Sequence, residues 1–277
     1  MRKNLGIGKI AGIVCGGALA LLAAGCGGDR EKQVAKAVES ISFEMYNYDV
    51  IAERLDVDSL EADVPGGRYV KLVGEGVIPR DNGSAGLRAL RDSLLRLTHL
   101  GFAEDDRPVP DVLGDLRVTD LDADTTQACS FASNTLSASL VSPRVMVFEN
   151  QSEGYMCRAA HGMEHRSFVN YDVEKGEILT LSRLMRPGFE KKLCAMIRAA
   201  VTKADLPLVV DISEVGIPRQ FAVTASGITF SYDPYDIAPY SEGVVSVPVS
   251  IGDLVSAELL SPEGEYLLTG EGNRPEK

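Results

Sequence analysis

The chain has 277 residues, and 28 lysines and arginines stand against 40 aspartates and glutamates, which gives a formal net charge of −12. A surface of this sign repels phosphate backbones, so the composition excludes nucleic-acid binding. The excess of carboxylates favours solubility or the attraction of cationic partners.

The N-terminus has the pattern of a secretion signal. Arg2, Lys3 and Lys9 precede an apolar run over residues 10–24. This run is too short to span a bilayer comfortably, but its length suits a signal-peptide core. We therefore predict a signal peptide over residues 1–25.

Small residues lead directly into a cysteine at the end of this signal. The sequence Ala23-Ala24-Gly25-Cys26 resembles the lipobox of bacterial lipoproteins, in which the cysteine is lipidated and becomes the mature N-terminus. We predict a lipid anchor at Cys26 and a tether over residues 26–40, which would place the protein at the periplasmic face of either membrane or at the cell surface. An ordinary secretory signal cut near Ala24 is the alternative. Cleavage before Cys26 removes three basic residues and no acidic ones, so the mature charge is 25 − 40 = −15.

Apart from the anchor Cys26, three cysteines remain in the mature chain: Cys129, Cys157 and Cys194. They can form at most one disulfide in an oxidising compartment, and their spacing does not select a pair. All three could equally be buried apolar residues. No CxxC motif supports a zinc ribbon or a thioredoxin-like site.

The first half of the mature chain, residues 41–150, has the pattern of a small α+β domain. Alternation predicts strands over 41–48 and 68–73. Ser84 can cap a helix that stops at Gly101, with apolar residues at helical spacing: Leu87, Leu90, Leu94, Leu95 and Leu97. An acidic connection with at most one strand follows over 104–124.

The second half mixes strands with one clear helix. Strands are predicted over 131–141 and 144–150, with a break at Ser152-Glu153-Gly154 and a soft domain boundary after Asn150. Further strands are predicted over 167–172, 177–179, 220–224, 227–231 and 244–249, and a helix over 188–203. Runs of strands with one main helix in each half predict an α+β fold with largely antiparallel sheets. We expect the second domain to cover 151–266, followed by a polar tail over 267–277.

Two of the three histidines lie in 161-HGMEH-165, which matches the H-x-x-E-H pattern of inverted zinc peptidases. That chemistry needs both imidazoles on one helical face, with the glutamate as general base. Gly162 and the strand-like flanks argue against a helix here, and we expect an ordinary strand-and-turn pair. A metal-dependent wall hydrolase that uses His161, Glu164 and His165 is the alternative function. We otherwise predict no enzyme and no cofactor.

Two stretches carry a family resemblance. Residues 159–185 contain Ala-His-Gly before a strand, a Lys-Gly turn and a Leu-Ser-x-Leu helix start, and residues 221–249 contain Gly-Ile-Thr-Phe followed by Pro-Tyr-Asp-Ile-Ala-Pro-Tyr. Together they resemble an envelope domain family of unknown function. That family includes the extracellular part of the anti-sigma factor RsiV, a lysozyme receptor, and a domain attached to the peptidoglycan deacetylase PdaC. The resemblance implies a binding module, with lysozyme or peptidoglycan as its partner. It does not carry over transmembrane signalling or deacetylation, because the matching segments are missing.

The tyrosines of the second stretch lie in a segment stiffened by Pro234 and Pro239. Each proline fixes φ and lacks an N–H, so the strand must end and a rigid loop can follow. Tyrosine on a rigid loop is a favoured interface anchor, and neighbouring acidic residues suit a cationic protein. We predict a partner-binding site of six residues: Tyr232, Asp233, Tyr235, Asp236, Tyr240 and His161. The alternative for Tyr240 is a corner tyrosine that packs into the core.

Overall fold

The computed structural model describes residues 41–53, 63, 65–67, 69–97, 117–118, 128–142 and 144–270. The predicted signal peptide, the anchor at Cys26 and the tether lie outside these residues. No helix within the described ranges is long and apolar enough to cross a membrane.

Within the described residues the chain folds into ten strands, five α-helices and a 3₁₀-helix over Tyr240–Glu242. The strands are β1 (Phe43–Glu53), β2 (Tyr69–Pro79), β3 (Arg117–Val118), β4 (Ser130–Ser142), β5 (Val145–Tyr155), β6 (Met163–Asp172), β7 (Glu177–Leu179), β8 (Gln220–Thr224), β9 (Gly227–Tyr232) and β10 (Val245–Ser250). The helices are α1 (Ala85–Leu97), α2 (Leu181–Leu184), α3 (Glu190–Lys203), α4 (Ile251–Ser256) and α5 (Pro262–Thr269).

Two sheets organise these elements. The larger has the order β3-β1-β2-β4-β5-β6-β7 and the smaller has the order β10-β9-β8. Every strand pair is antiparallel except β2 with β4, whose connection includes α1. The α+β prediction with largely antiparallel sheets is confirmed.

The predicted boundary after Asn150 falls in the middle of β5. Across this point β5 pairs with β4 on one side and with β6 on the other. One sheet therefore joins the two halves that the sequence suggested. The predicted break at Ser152–Gly154 is wrong, because these residues continue the same ladders.

Helix α1 covers one face of the larger sheet, as its leucine spacing predicts. The Ser84 hydroxyl caps it by accepting a hydrogen bond from the Leu87 N–H at 3.2 Å. Leu87, Leu90 and Leu94 are buried against a cluster from the sheet that includes Phe148. Burial of such side chains contributes about 1.5–3 kcal/mol each.

The smaller sheet packs beside β6 and is joined to it by side chains. The Asn170 amide donates to the Phe221 carbonyl at 2.8 Å and accepts from the Val223 N–H at 2.7 Å. Gln220 accepts from the Phe168 N–H at 2.9 Å. These bonds satisfy backbone groups at an edge that β7 covers only from Asn170 onward.

Helix α3 packs its buried residues Leu193, Ile197 and Val201 into the core of the smaller sheet. The helix begins at Glu190, two residues later than the sequence suggested. Helices α4 and α5 were not predicted. Leu267 of α5 is buried, so the first residues of the predicted polar tail belong to the core.

The three cysteines of the described residues form one disulfide and leave one thiol free. A disulfide joins Cys129 to Cys157, with the Cα atoms 5.1 Å apart, so the start of β4 is tied to the residues after β5. The third cysteine, Cys194, is a half-buried free thiol that donates to the Val215 carbonyl at 3.3 Å. The structure thereby selects one pair among those that the sequence left open.

Candidate functional site

The segment after β9 forms a tight loop over residues 233–243, which we call the tyrosine loop. The Asp236 N–H donates to the Asp233 carbonyl at 3.0 Å, and the Asp233 N–H donates to the Asp236 carboxylate at 2.9 Å. The Tyr235 N–H donates to the Ala238 carbonyl at 3.0 Å. Tyr235 has φ of 74°, in the left-handed region that a non-glycine residue rarely adopts.

Besides its internal hydrogen bonds, the tyrosine loop has contacts with the core of the smaller sheet and with the segment after α3. Ile237 and Ala238 are buried in the core of the smaller sheet. The Ile237 carbonyl accepts from the Val209 N–H at 3.0 Å, which ties the loop to the segment after α3. Pro234 is buried and fixes its own φ. The loop is therefore a rigid support for its exposed side chains.

Three rings meet on this loop. His161 stacks on Tyr240, with ring centroids 4.0 Å apart and planes 26° apart. Tyr235 lies beside both rings, 5.9 Å from His161 and 6.1 Å from Tyr240 by centroid. Tyr235 is 51% exposed. Tyr240 and His161 are half-buried, so the predicted alternative of a fully buried corner tyrosine does not describe Tyr240.

Hydrogen bonds set the orientation of the His161 ring. Its Nδ1–H donates to the Gly162 carbonyl at 2.8 Å. Nε2 is then the acceptor for the Tyr235 hydroxyl, at 3.0 Å. The ring set therefore combines stacked faces with one directed hydrogen bond.

Tyr232 does not contribute a ring to this surface. It is only 4% exposed, and its hydroxyl donates to the Gly216 carbonyl at 2.5 Å. Burial raises the pKa of this phenol above its usual value. Its position follows from strand alternation, since Ile228 and Phe230 point to the same core face of β9.

A second histidine links the loop to β6. His165 Nδ1 lies 2.5 Å from the Asp233 carboxylate, and Nε2 lies 2.8 Å from the Ser167 hydroxyl. The hydrogen bond to Asp233 raises the pKa of His165, burial opposes it, and the charges of Asp233 and Asp236 add to the rise. The protonated imidazole donates to both partners. The sequence gives no sign of this link, because its two residues lie 68 positions apart with no shared local pattern.

The order Asp233, His165, Ser167 is that of a hydrolase triad. Ser167 is only 2% exposed, so a substrate carbonyl has no route to its oxygen. This arrangement is suited to holding the loop against β6.

The H-x-x-E-H residues do not converge. His161 precedes β6 while Glu164 and His165 lie on it, and neighbours on a strand point to opposite faces. The two imidazoles also bind different partners. Across the described ranges, no three His, Cys, Asp or Glu side chains are grouped as a metal site.

Acidic residues surround the rings. Asp236 and Glu242 are exposed on the tyrosine loop. Glu164 reaches it from β6, since a Cβ at Gly243 would lie 3.5 Å from the Glu164 carboxylate. The structure thus brings together His161, Tyr235 and Tyr240. The Asp236 carboxylate accepts from the Asp233 N–H, and the Asp233 carboxylate is engaged by His165.

One protein-family model matches a segment that includes part of this site. Residues 182–252 match the family model described as "Protein of unknown function (DUF3298)". The match covers 71 of the 277 residues. The match runs from α2 into α4, so it includes Tyr235 and Tyr240, whereas His161 lies before it. Among curated proteins, none matches this sequence.

Two solved structures have a similar fold. One is a member of the DUF3298 family from Bacteroides fragilis NCTC 9343, with a TM-score of 0.56 and 16% identity over 80% of this chain and 94% of that one. The other is a DUF3298 family protein from Pseudomonas aeruginosa PAO1, with a TM-score of 0.50 and 17% identity over 80% of this chain and 95% of that one. At these identities the likeness shows the fold alone.

Proposed function

We propose that this protein is a non-catalytic binding lipoprotein of the bacterial cell envelope, anchored through Cys26, whose tyrosine loop docks a lysozyme. Peptidoglycan is the second partner that the family resemblance suggests. The observation that carries the proposal is the ring set of His161, Tyr235 and Tyr240, held on a rigid loop with one ring half exposed.

Rigidity is the first argument for binding. Ordering a loop and its side chains on association costs about 0.5–1.5 kcal/mol per mobile side chain. Here Tyr235 and Tyr240 already have stacking and hydrogen-bond partners in the free protein. Most of that ordering cost has therefore been met during folding, and tyrosine supplies a large contact area.

Charge is the second argument. Asp236 and Glu242 lie exposed on the loop beside the rings, and the whole chain carries a net charge of −12. Complementary charge speeds encounter with a cationic protein and makes it sensitive to salt. The c-type lysozymes are such cationic proteins.

The proposal is tested by measuring binding of c-type lysozyme to the immobilised protein at low and high salt. Tyr235→Asn is the sharpest variant, because asparagine tolerates the left-handed backbone at this position better than alanine does. A hot-spot ring contributes about 2 kcal/mol or more, so we expect affinity to fall about 30-fold. Val255→Ala is the matched control, because it truncates another exposed apolar residue, on α4.

If Tyr235→Asn binds lysozyme with unchanged affinity, the tyrosine loop is not the lysozyme-binding site. Absence of lysozyme binding by the wild type, together with sedimentation onto purified peptidoglycan that Tyr235→Asn abolishes, would assign the loop to the glycan instead.

A further inference from the structure

Helix α1 covers one face of the larger sheet. The core of the smaller sheet covers part of the opposite face, around Val145 and Val147, and the rest of that face is exposed. The ladder registers align side chains from five neighbouring strands in one row on this face: Asp49, Val73, Ser133, Glu153 and Glu164. The next row contains Ile51, Lys71, Phe131 and Tyr155. We call these two rows, with the exposed neighbours Met45 and Glu75, the outer face.

The outer face exposes apolar groups in the middle of polar ones. Phe131 is 41% exposed and stacks on Tyr155, with ring centroids 6.2 Å apart and planes 15° apart. Val73 on β2, next to β4, and Met45 on β1, one strand further out, are also exposed. Contiguous exposed apolar residues with a polar rim are typical of interaction surfaces.

The charges on this face are unbalanced. Glu153 and Glu164 lie directly opposite each other on β5 and β6, and both are exposed. Like charges in directly opposed positions destabilise a sheet. The nearby cations are already engaged: Lys71 lies 3.5 Å from Asp49, and Arg166 lies 3.2 Å from Glu149.

Counting the described charges of the two rows with Glu75, Glu149 and Arg166, two cations face five carboxylates, or 2 − 5 = −3. A second copy of this chain would bring an equally acidic face, and an anionic membrane would be repelled. A positively charged partner removes the repulsion between Glu153 and Glu164 instead.

The outer face is continuous with the tyrosine loop. Glu164 touches both, because it faces Glu153 across the ladder and lies close to Gly243. A second contact lies next to His161. Its neighbour Gly162 packs so closely on β5 that an added Cβ would lie 2.9 Å from the Gly154 carbonyl and 4.0 Å from the Tyr155 side chain. The loop therefore stands at the margin of the outer face.

We propose that the outer face is a docking surface for a basic polypeptide segment, whose lysine or arginine side chains pair with Glu153 and Glu164 and lie over the Phe131 and Tyr155 rings. Long basic side chains suit this surface, because their stems cover apolar area while their charged ends reach carboxylates. Cations also bind the faces of aromatic rings. The inference rests on the proposed function only in taking the partner to be a cationic protein.

The test uses a fluorescently labelled deca-lysine peptide titrated with the full chain at low salt. Glu153→Gln/Glu164→Gln should weaken binding about tenfold, since each exposed ion pair contributes up to about 1 kcal/mol. The control Glu214→Gln/Glu258→Gln removes the same charge from exposed positions on loops around the smaller sheet, and should change binding less than about twofold. Phe131→Thr should weaken it about threefold.

Removal of the opposed carboxylates should also leave thermal stability unchanged or raised, which separates loss of binding from loss of folding. Equal weakening by the two double variants would mean that only net charge matters, and would overturn the inference. Dimerisation of the wild type that Phe131→Thr abolishes would assign the face to a second copy and would overturn it as well.

Lysozyme distinguishes this inference from the proposed function. If the wild type fails to bind lysozyme, the proposed function fails, while the peptide titration still decides the outer face. If lysozyme and the peptide each bind equally well to the wild type and to Glu153→Gln/Glu164→Gln, docking ends at the loop and the outer face is excluded.

Discussion

Removal of the disulfide between Cys129 and Cys157 should destabilise the protein by an amount that depends on the length of chain between the two cysteines. Cys129 and Cys157 are separated by 28 residues, and the bond closes this stretch into a loop in the unfolded chain. The chain-entropy relation for about 28 residues gives about 12 cal/mol/K, or about 3.6 kcal/mol at 25 °C. For a protein of this size, such a loss lowers the melting temperature by about 10 °C.

The perturbation is Cys129→Ala/Cys157→Ala, measured by urea unfolding and by thermal melting. Alanine is chosen because Cys157 is buried and a serine hydroxyl there would need a new partner. Cys194→Ala is the control, since it removes a free thiol that makes only one weak hydrogen bond. A reducing agent should destabilise the wild type by the same amount and leave the double variant unchanged.

The reasoning is refuted if the double variant and the wild type have the same midpoint under oxidising conditions. It is refuted equally if the reducing agent lowers the stability of both proteins alike, since the double variant has no bond to lose.

Two other predictions concern tight packing and pH. Gly264→Ala should cost about 2 kcal/mol or more of unfolding free energy, because the new Cβ would lie 2.0 Å from the Leu184 carbonyl. Gly252→Ala should be neutral or stabilising, because its Cβ would meet only the Ser250 hydroxyl at 3.8 Å, an ordinary contact distance; equal melting temperatures of the two variants would contradict this. His165 has a raised pKa in the folded state, so its contribution to stability is complete below about pH 6.5 and is lost as pH rises through the folded value. An NMR titration should give a pKa above 6.5 that falls toward it in Asp233→Asn, and no change in that variant would exclude the ion pair.

Much of the fold could be predicted from local pattern. The spacing of Leu87, Leu90 and Leu94 and the capping Ser84 define α1, and alternation defines most strands. The break at Ser152–Gly154 was wrong because a glycine in a strand reads as a turn signal. Here Gly154 stays in the ladder opposite Met163, and its carbonyl lies where a side chain at Gly162 would be. That close approach depends on a distant segment, so no local pattern contains it.

The site was only partly predictable, for a similar reason. The prolines indicated a rigid loop, and three of the six residues predicted to bind a partner, His161, Tyr235 and Tyr240, have neighbouring rings in the structure. Their role in binding stays a prediction. Tyr232 could have been separated from them, because it alternates in phase with the buried Phe230. The link from His165 to Asp233 could not be predicted, since it arises only when the loop after β9 is placed against β6.

The side chain of Asn170 has a consequence for how the molecule opens. Asn170 lies in the larger sheet, and its side-chain amide forms hydrogen bonds with two backbone groups of the smaller sheet, the Phe221 carbonyl and the Val223 N–H. Aspartate would lose the donor and leucine would lose both groups. The Val223 amide proton can then exchange with solvent only when β6 and β8 separate. Its exchange rate therefore reports the separation of the two sheets, which should unfold together.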